Sequence, residues 1–271
     1  MRLMRIASRL VGFLVVLTSF VVCTSPFWLW PRRHMRLVRR WPMRLACAHC
    51  AALGRLLGLS VTLKGDAWRL QQGGAKLLVS NHLSYLDVLA FACHFPSCFV
   101  TSREIQRTPF LGTLVTAAGC LFVDRQDKRR LGQEVQELAD ALTDGMHVVV
   151  FPEATSTNGD AVLRFRRPLF HAAAAADVPV LPLTLNYTTV DGTSVGPQNR
   201  DLICWYGDMG FAPHFLALLG LRGVCAELVV GSPLTAGGDV ADLAGSAEQA
   251  VRSRFIPLSG PAPVLTPAME A

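Results

Sequence analysis

Lys76-Leu77-Leu78-Val79-Ser80-Asn81-His82-Leu83-Ser84-Tyr85-Leu86-Asp87 carries the decisive reading of this 271-residue chain. Lys76–Ser80 is a short apolar run closed by polar residues, the pattern of a buried strand. His82 lies just past the strand end, and Asp87 follows five residues later. An imidazole that titrates near neutral pH, with an acid to fix its tautomer, is the minimum kit for general-base catalysis. The same residues also spell a helix start. Ser84 and Asp87 form an S-x-x-D capping box ahead of the apolar run Val88–Ala92. The two roles are compatible, because a carboxylate fixed in a first helical turn is placed to orient a histidine just before it.

Three further apolar runs have the same form. They are Cys120–Val123 before Asp124-Arg125, His147–Phe151 before Pro152-Glu153, and Val178–Leu185 before Asn186. Between the first and second of these, Lys128–Thr143 reads as a helix. Leu131, Val135, Leu138, Ala139 and Leu142 form one apolar stripe, and Gly145 suits the stop. Alternating strand and helix predicts an α/β layer with parallel pairs. In open α/β sheets, sites lie beyond the carboxyl ends of strands. His82, Arg125 and Glu153 each follow such an end, so three loops are expected to converge on one cleft.

The chain is 51% hydrophobic and carries a formal charge of +6. Arg32, Arg33, Arg36, Arg39, Arg40 and Arg44 concentrate that charge. Leu10–Trp30, just before them, has no charged residue; as a helix it is about 31 Å long, the thickness of a hydrocarbon core. Pro26 weakens its end, and Trp28 and Trp30 suit an interfacial belt. No A-x-A-like cleavage site follows, so a retained anchor is favoured over a signal peptide. The excess of arginine on its C-terminal side places the bulk of the protein on the cytoplasmic side of the inner membrane. A shallow helical hairpin is the alternative, since Met43–Leu63 is also apolar apart from Arg44, His49 and Arg55. Arg36–Leu57 reads as an amphipathic helix. The arginine cluster beside an apolar anchor points to an anionic membrane surface and not to nucleic acid, for which no motif is present. The expected division is a membrane segment over 1–63, a catalytic domain over 64–256 and a loosely ordered tail over 257–271. Cys47-Ala-His-Cys50, Cys93 and Cys98 match no metal module and read as buried free thiols, so no metal is expected. Phe215–Leu221 reads equally as membrane-facing or as core.

The motifs together resemble the glycerolipid acyltransferases, the family of 1-acylglycerol-3-phosphate acyltransferase. Asn81-His82-Leu83-Ser84-Tyr85-Leu86-Asp87 is similar to its NHxxxxD motif. Gly119, Phe122, Val123 and Arg125 match G-x-x-F-[IV]-x-R, with Arg103-Glu104 before them. Phe151-Pro152-Glu153-Ala154-Thr155-Ser156 resembles FPEGTRS, and Val178-Pro179-Val180-Leu181-Pro182 resembles V-P-[IV]-x-P. The third motif departs from the family twice: glycine is replaced by Ala154 and arginine by Ser156. Trp205-Tyr206-Gly207-Asp208-Met209 looks like the branch that includes lyso-ornithine lipid acyltransferases.

The resemblance implies a single domain with a mixed, partly parallel sheet flanked by helices, preceded by a membrane helix or helical hairpin. It implies transfer of a fatty acyl group to the hydroxyl of a lysolipid acceptor from acyl-CoA or acyl-carrier protein, with no further cofactor. His82 is the expected base and Asp87 its orienting acid. Asn81, Arg103, Arg125, Glu153, Thr155 and Ser156 are expected to bind substrate. Arg103, Arg125, Arg164, Arg166 and Arg167 are candidates to replace the missing arginine. Backbone N–H groups around Asn81–Leu83 or at Gly119 are the expected oxyanion donors. A competing serine-hydrolase reading rests on Gly192-Thr193-Ser194-Val195-Gly196, but Pro197-Gln198-Asn199-Arg200 gives no helix for a nucleophile elbow.

Overall fold

The computed structural model describes residues 1–28, 40–124, 127–237 and 239–259; Arg32, Arg33, Arg36, Arg39, Arg125 and most of the expected tail lie outside the described residues. Two helices come first, α1 (Arg2–Trp28) and α2 (Arg40–Leu57). They pack antiparallel: a Cβ on Gly12 would come 2.7 Å from Leu56, and the Ser19 hydroxyl meets His49 Nε2 at 3.2 Å. α1 is long and apolar enough to cross a membrane. Its first turns are tied to the rest of the fold, with Arg5 donating to the Gly220 carbonyl at 2.8 Å and Arg9 to the Leu219 carbonyl at 3.3 Å.

The strands are β1 (Leu59–Gly65), β2 (Leu77–Ser80), β3 (Ser97–Ser102), β4 (Leu121–Val123), β5 (His147–Val150), β6 (Val180–Val190), β7 (Thr193–Ser194) and β8 (Val224–Val230). They form one sheet in the order β1-β8-β6-β2-β5-β3-β4, with β7 hairpinned on β6. The run β6-β2-β5-β3-β4 is parallel throughout, and so is β1 with β8; β8 joins β6 antiparallel. The sheet is therefore mixed and mostly parallel, as expected. The remaining helices are α3 (Leu86–Ala92), α4 (Arg103–Arg107), α5 (Leu111–Ala117), α6 (Leu131–Thr143), α7 (His171–Ala175), α8 (Phe211–Leu219) and α9 (Val240–Arg252).

The central strands are apolar on both sides because both faces are covered. Leu78 of β2 and Val149 of β5 join the core beneath α3, with Leu86 and Phe91. Leu77, Val79, Val148 and Val150 point the other way, into a core with Leu138 and Leu142 of α6 and Ala247 of α9. One correction concerns β6, which runs on to Val190, so that Asn186 lies inside the strand and not beyond its end. The Asn186 side-chain amide donates to the Arg254 carbonyl at 3.0 Å, a part-buried bond that lets a polar residue sit mid-strand. Ser194 sits in β7, paired antiparallel with β6, which is no setting for a nucleophile elbow. The cysteines are all free thiols, and no cluster suited to a metal ion occurs among the described residues.

Candidate active site

β2, β5 and β3 are parallel neighbours, so His82, Glu153 and Arg103 emerge side by side from their carboxyl ends. The loop after β2 turns at once into α3, and that turn sets the His82–Asp87 pair. Asp87, fully buried in the first turn, accepts from His82 Nδ1 at 2.7 Å. The same oxygen accepts the N–H groups of Leu83 at 2.7 Å and Ser84 at 3.0 Å. The bond to Ser84 is half of the expected capping box. The other half is missing, since the buried Ser84 hydroxyl has no partner among the described residues. One carboxylate thus serves both as helix cap and as histidine partner. The second oxygen accepts from the Tyr187 hydroxyl at 2.7 Å. Burial, and then the neighbouring Asp87 charge, push the Tyr187 phenol well above its ordinary range, so it stays a donor.

His82 keeps 22% of its side chain exposed. Its ring stacks on Phe151 at 4.2 Å between centroids and 14° between planes. With Nδ1–H donated to an acceptor-only carboxylate, Nε2 carries the free lone pair.

Glu153, also buried, holds the backbone of this loop. One oxygen accepts the His82 N–H at 2.8 Å and the other the Leu163 N–H at 2.8 Å. Burial pushes its carboxyl up to about 7, against those two donors, which hold it down. The third motif is further knitted to the first by the Thr157 N–H, which donates to the His82 carbonyl at 3.0 Å. Ser156, where the family has arginine, turns its hydroxyl inward to the Trp205 carbonyl. Trp205 in turn donates its N–H to the Leu83 carbonyl at 2.9 Å.

The other expected residues divide. Asn81 is buried, and its amide pairs with Leu185 in both directions at 2.9 Å, extending the β2–β6 ladder through a side chain. Arg103 donates to Glu134 at 3.0 Å and lines a cavity of about 390 Å³ with Ser102, Arg107, Val123 and Asp124. Thr155 is exposed and shares a cleft of about 620 Å³ with Glu153, Arg164, Arg166 and Arg167. Behind Phe151 lies a third cavity, about 260 Å³, with Val100, Val123, Leu131, Val150 and Leu169 in its wall. The expected oxyanion donors are spent inside the fold: His82, Leu83 and Gly119 give their N–H groups to Glu153, Asp87 and the Thr116 carbonyl. Tyr187 and Trp205 were not expected. Trp205 opens the segment that resembles the lyso-ornithine lipid branch, but nothing in the sequence places it or Tyr187 at the first motif, which each meets only across a long stretch of chain.

Residues 64–186 match the family model "Acyltransferase". The chain is 34% identical over 220 residues to a lyso-ornithine lipid O-acyltransferase of Rhizobium meliloti, spanning 78% of this chain and 72% of that protein. It is 31% identical to the enzyme of the same name from Brucella abortus, over 81% of this chain and 84% of that protein. A 1-acyl-sn-glycerol-3-phosphate acyltransferase of Neisseria gonorrhoeae is 31% identical, over 62% of this chain and 64% of its own length. The fold is similar to the crystal structure of the 1-acyl-sn-glycerophosphate (LPA) acyltransferase from Thermotoga maritima, with a TM-score of 0.63 and 18% identity over 93% of this chain and 95% of that one. The chain therefore belongs to the acyltransferase family, and it is an acyltransferase enzyme.

Proposed function

We propose that the protein moves a fatty acyl group from an acyl thioester to the free hydroxyl of a lyso-ornithine lipid, at the cytoplasmic face of the inner membrane. His82 Nε2 takes the proton from the acceptor hydroxyl as that oxygen attacks the thioester carbonyl. The tetrahedral adduct expels the thiolate, which takes the same proton back from the imidazolium. Asp87 orients the ring and stabilises its charged form, the part an acid plays in such a pair. The thioester is already activated, so no covalent enzyme intermediate is needed. The donor is an acyl-CoA or an acyl-carrier protein; the exposed arginines 164, 166 and 167 suit the anionic character of either. The apolar cavity behind Phe151 suits a hydrocarbon chain.

One observation carries the choice of acceptor. The motif arginine that would hold a phosphate is Ser156, and its hydroxyl is turned inward to a backbone carbonyl. An ornithine headgroup is an amino acid and brings no phosphate to that position. The named activity of the Rhizobium and Brucella relatives agrees. The membrane seat is supported by α1 and by the arginines that follow it.

The test is transfer of a labelled acyl thioester to lyso-ornithine lipid and to lysophosphatidic acid, with His82→Ala beside the parent. We expect ester formation on the ornithine lipid, little on the phosphate, and a loss of about 10²–10⁴-fold in the variant. Preference for lysophosphatidic acid would overturn the acceptor, and near-normal turnover without His82 would overturn the mechanism.

A further inference from the structure

Trp205-Tyr206-Gly207-Asp208-Met209, the segment that resembles the lyso-ornithine lipid branch, has no part in the proton transfer, yet it is built into the site. The Trp205 N–H donates to the Leu83 carbonyl at 2.9 Å, and the Trp205 carbonyl accepts from the Ser156 hydroxyl. The segment is thus tied both to the loop that carries His82 and to the loop that carries Glu153. Beyond Trp205 the chain reverses at once. The indole Nε1–H donates to the Met209 carbonyl at 2.8 Å, the Met209 N–H donates to the Tyr206 carbonyl at 3.3 Å, and Gly207 takes a φ of 56°. Gly207 and Asp208 form the tip of that turn, and both are exposed.

The charges around the turn are already sorted into pairs, Asp208 excepted. Arg200 pairs with Asp160 and lies 3.9 Å from Asp201. Asp201 also accepts from the Tyr206 hydroxyl at 2.9 Å. Asp208 has no ion pair among the described residues, so its carboxylate is open to an incoming cation. Aromatic rings adjoin the turn. Trp205 meets the ring of Tyr85, three residues past His82, at 5.9 Å between centroids, and Tyr85 meets Phe211 at 5.2 Å. All three rings keep part of their surface open. An ammonium is drawn both to a carboxylate and to the face of an aromatic ring, and neither attraction holds for a neutral group. Where the family has a guanidinium, this chain has a serine that holds a carboxylate-bearing turn. The sign of the charge offered to the headgroup is therefore reversed.

We propose that the Trp205–Met209 turn reads the acceptor headgroup. Asp208 and the Trp205 ring hold the side-chain ammonium of the ornithine while the acceptor hydroxyl lies at His82. A phosphate headgroup brings a negative charge to the same carboxylate and is repelled, so the turn selects against phosphate acceptors as well as for the amino acid. The proposal rests on lyso-ornithine lipid as the acceptor, and a single change to that lipid separates the two.

The full chain is assayed with lyso-ornithine lipid as such and with its side-chain amine acetylated, which removes the charge and leaves the acceptor hydroxyl free. For the parent we expect kcat/KM about fivefold or more lower on the acetylated lipid, chiefly through KM. Asp208→Asn and Trp205→Leu should each bring the ratio of the two acceptors towards one. Trp205→Phe, which also loses the bond to Met209 but keeps a ring, should retain most of the preference. A purely structural role would lower both acceptors together and leave their ratio where it was. Equal use of the two lipids by the parent would overturn the proposal and leave lyso-ornithine lipid as the acceptor. A ratio that Asp208→Asn or Trp205→Leu leaves unchanged would overturn it too. A parent that acylates lysophosphatidic acid and neither ornithine lipid would remove the acceptor itself, and the proposal with it.

Discussion

Asp87 receives bonds on both oxygens, and the donor on each has a different task. The oxygen facing His82 is shared with two backbone N–H groups, so its position is fixed by the start of α3. The other oxygen accepts from the Tyr187 hydroxyl. Tyr187→Phe therefore leaves one lone-pair side of a buried carboxylate without its donor. We expect a loss of about 1.5–3 kcal/mol of stability, read by denaturant unfolding, because the bond is to a charged group. We also expect a fall in kcat with little change in KM, since Tyr187 reaches the proposed base, His82, through Asp87. Ala154 offers the opposite case. It sits at φ of 59°, a left-handed conformation that costs a residue with a Cβ. Ala154→Gly should stabilise the protein by about 1 kcal/mol, raising Tm by roughly 2–4 °C. The departure from the family glycine was legible in the sequence, but its price in backbone strain needed the dihedral. His82 and Asp87 were legible as a pair because they are close in sequence. Tyr187 was not, because only the β2–β6 pairing brings it there.

The α4–α5 corner depends on one glycine. A Cβ on Gly112 would overlap the backbone carbonyl of Gln106, which no rotamer change relieves. Gly112→Ala should cost about 3 kcal/mol or more, among the larger effects of a single substitution. Loss of the folded protein in a thermal or protease assay would show it, while Gly132→Ala, whose Cβ meets nothing, serves as the neutral comparison. The strands divide along the same line of local against distant cause. β2, β4 and β5 were legible because they are buried, so their apolar runs are unbroken. β3 begins and ends with serine, and β1 at the sheet edge and β8 beside it alternate in burial, so none of the three has that signature. The end of β6 was misplaced because Asn186, a turn-former by type, is satisfied by a distant carbonyl.

At the scale of the whole molecule, Glu153 ties the β2 loop to the segment around Leu163, and its ionisation is linked to folding. Its carboxyl is raised from 4.5 in an unfolded chain to about 7 in the fold. The native state therefore binds more protons than the unfolded chain between those two values. This group's contribution is fully present below about 4.5 and is lost as pH rises towards 7, with a slope of at most about 1.4 kcal/mol per pH unit. Urea unfolding of the parent and of Glu153→Gln across that range should show the slope reduced in the variant. A slope that Glu153→Gln leaves unchanged would contradict the linkage.

The reversed join between β6 and β8 sets an order of assembly. β1 pairs with β8 along its whole length, and the turns around Arg5 and Arg9 are held by carbonyls just before β8. On the ribosome, those early segments wait through most of the chain for the strand that completes them, on the order of ten seconds or more at ordinary synthesis rates. During that wait α1 can enter lipid while the sheet is still open. On the proposed membrane seat of α1, biogenesis has a built-in sequence, insertion before closure, and the segment that closes the domain is also the one that clasps the inserted helix. A nascent chain stalled before Val224 should already resist extraction from membranes while remaining open to protease, and release through β8 should end that sensitivity.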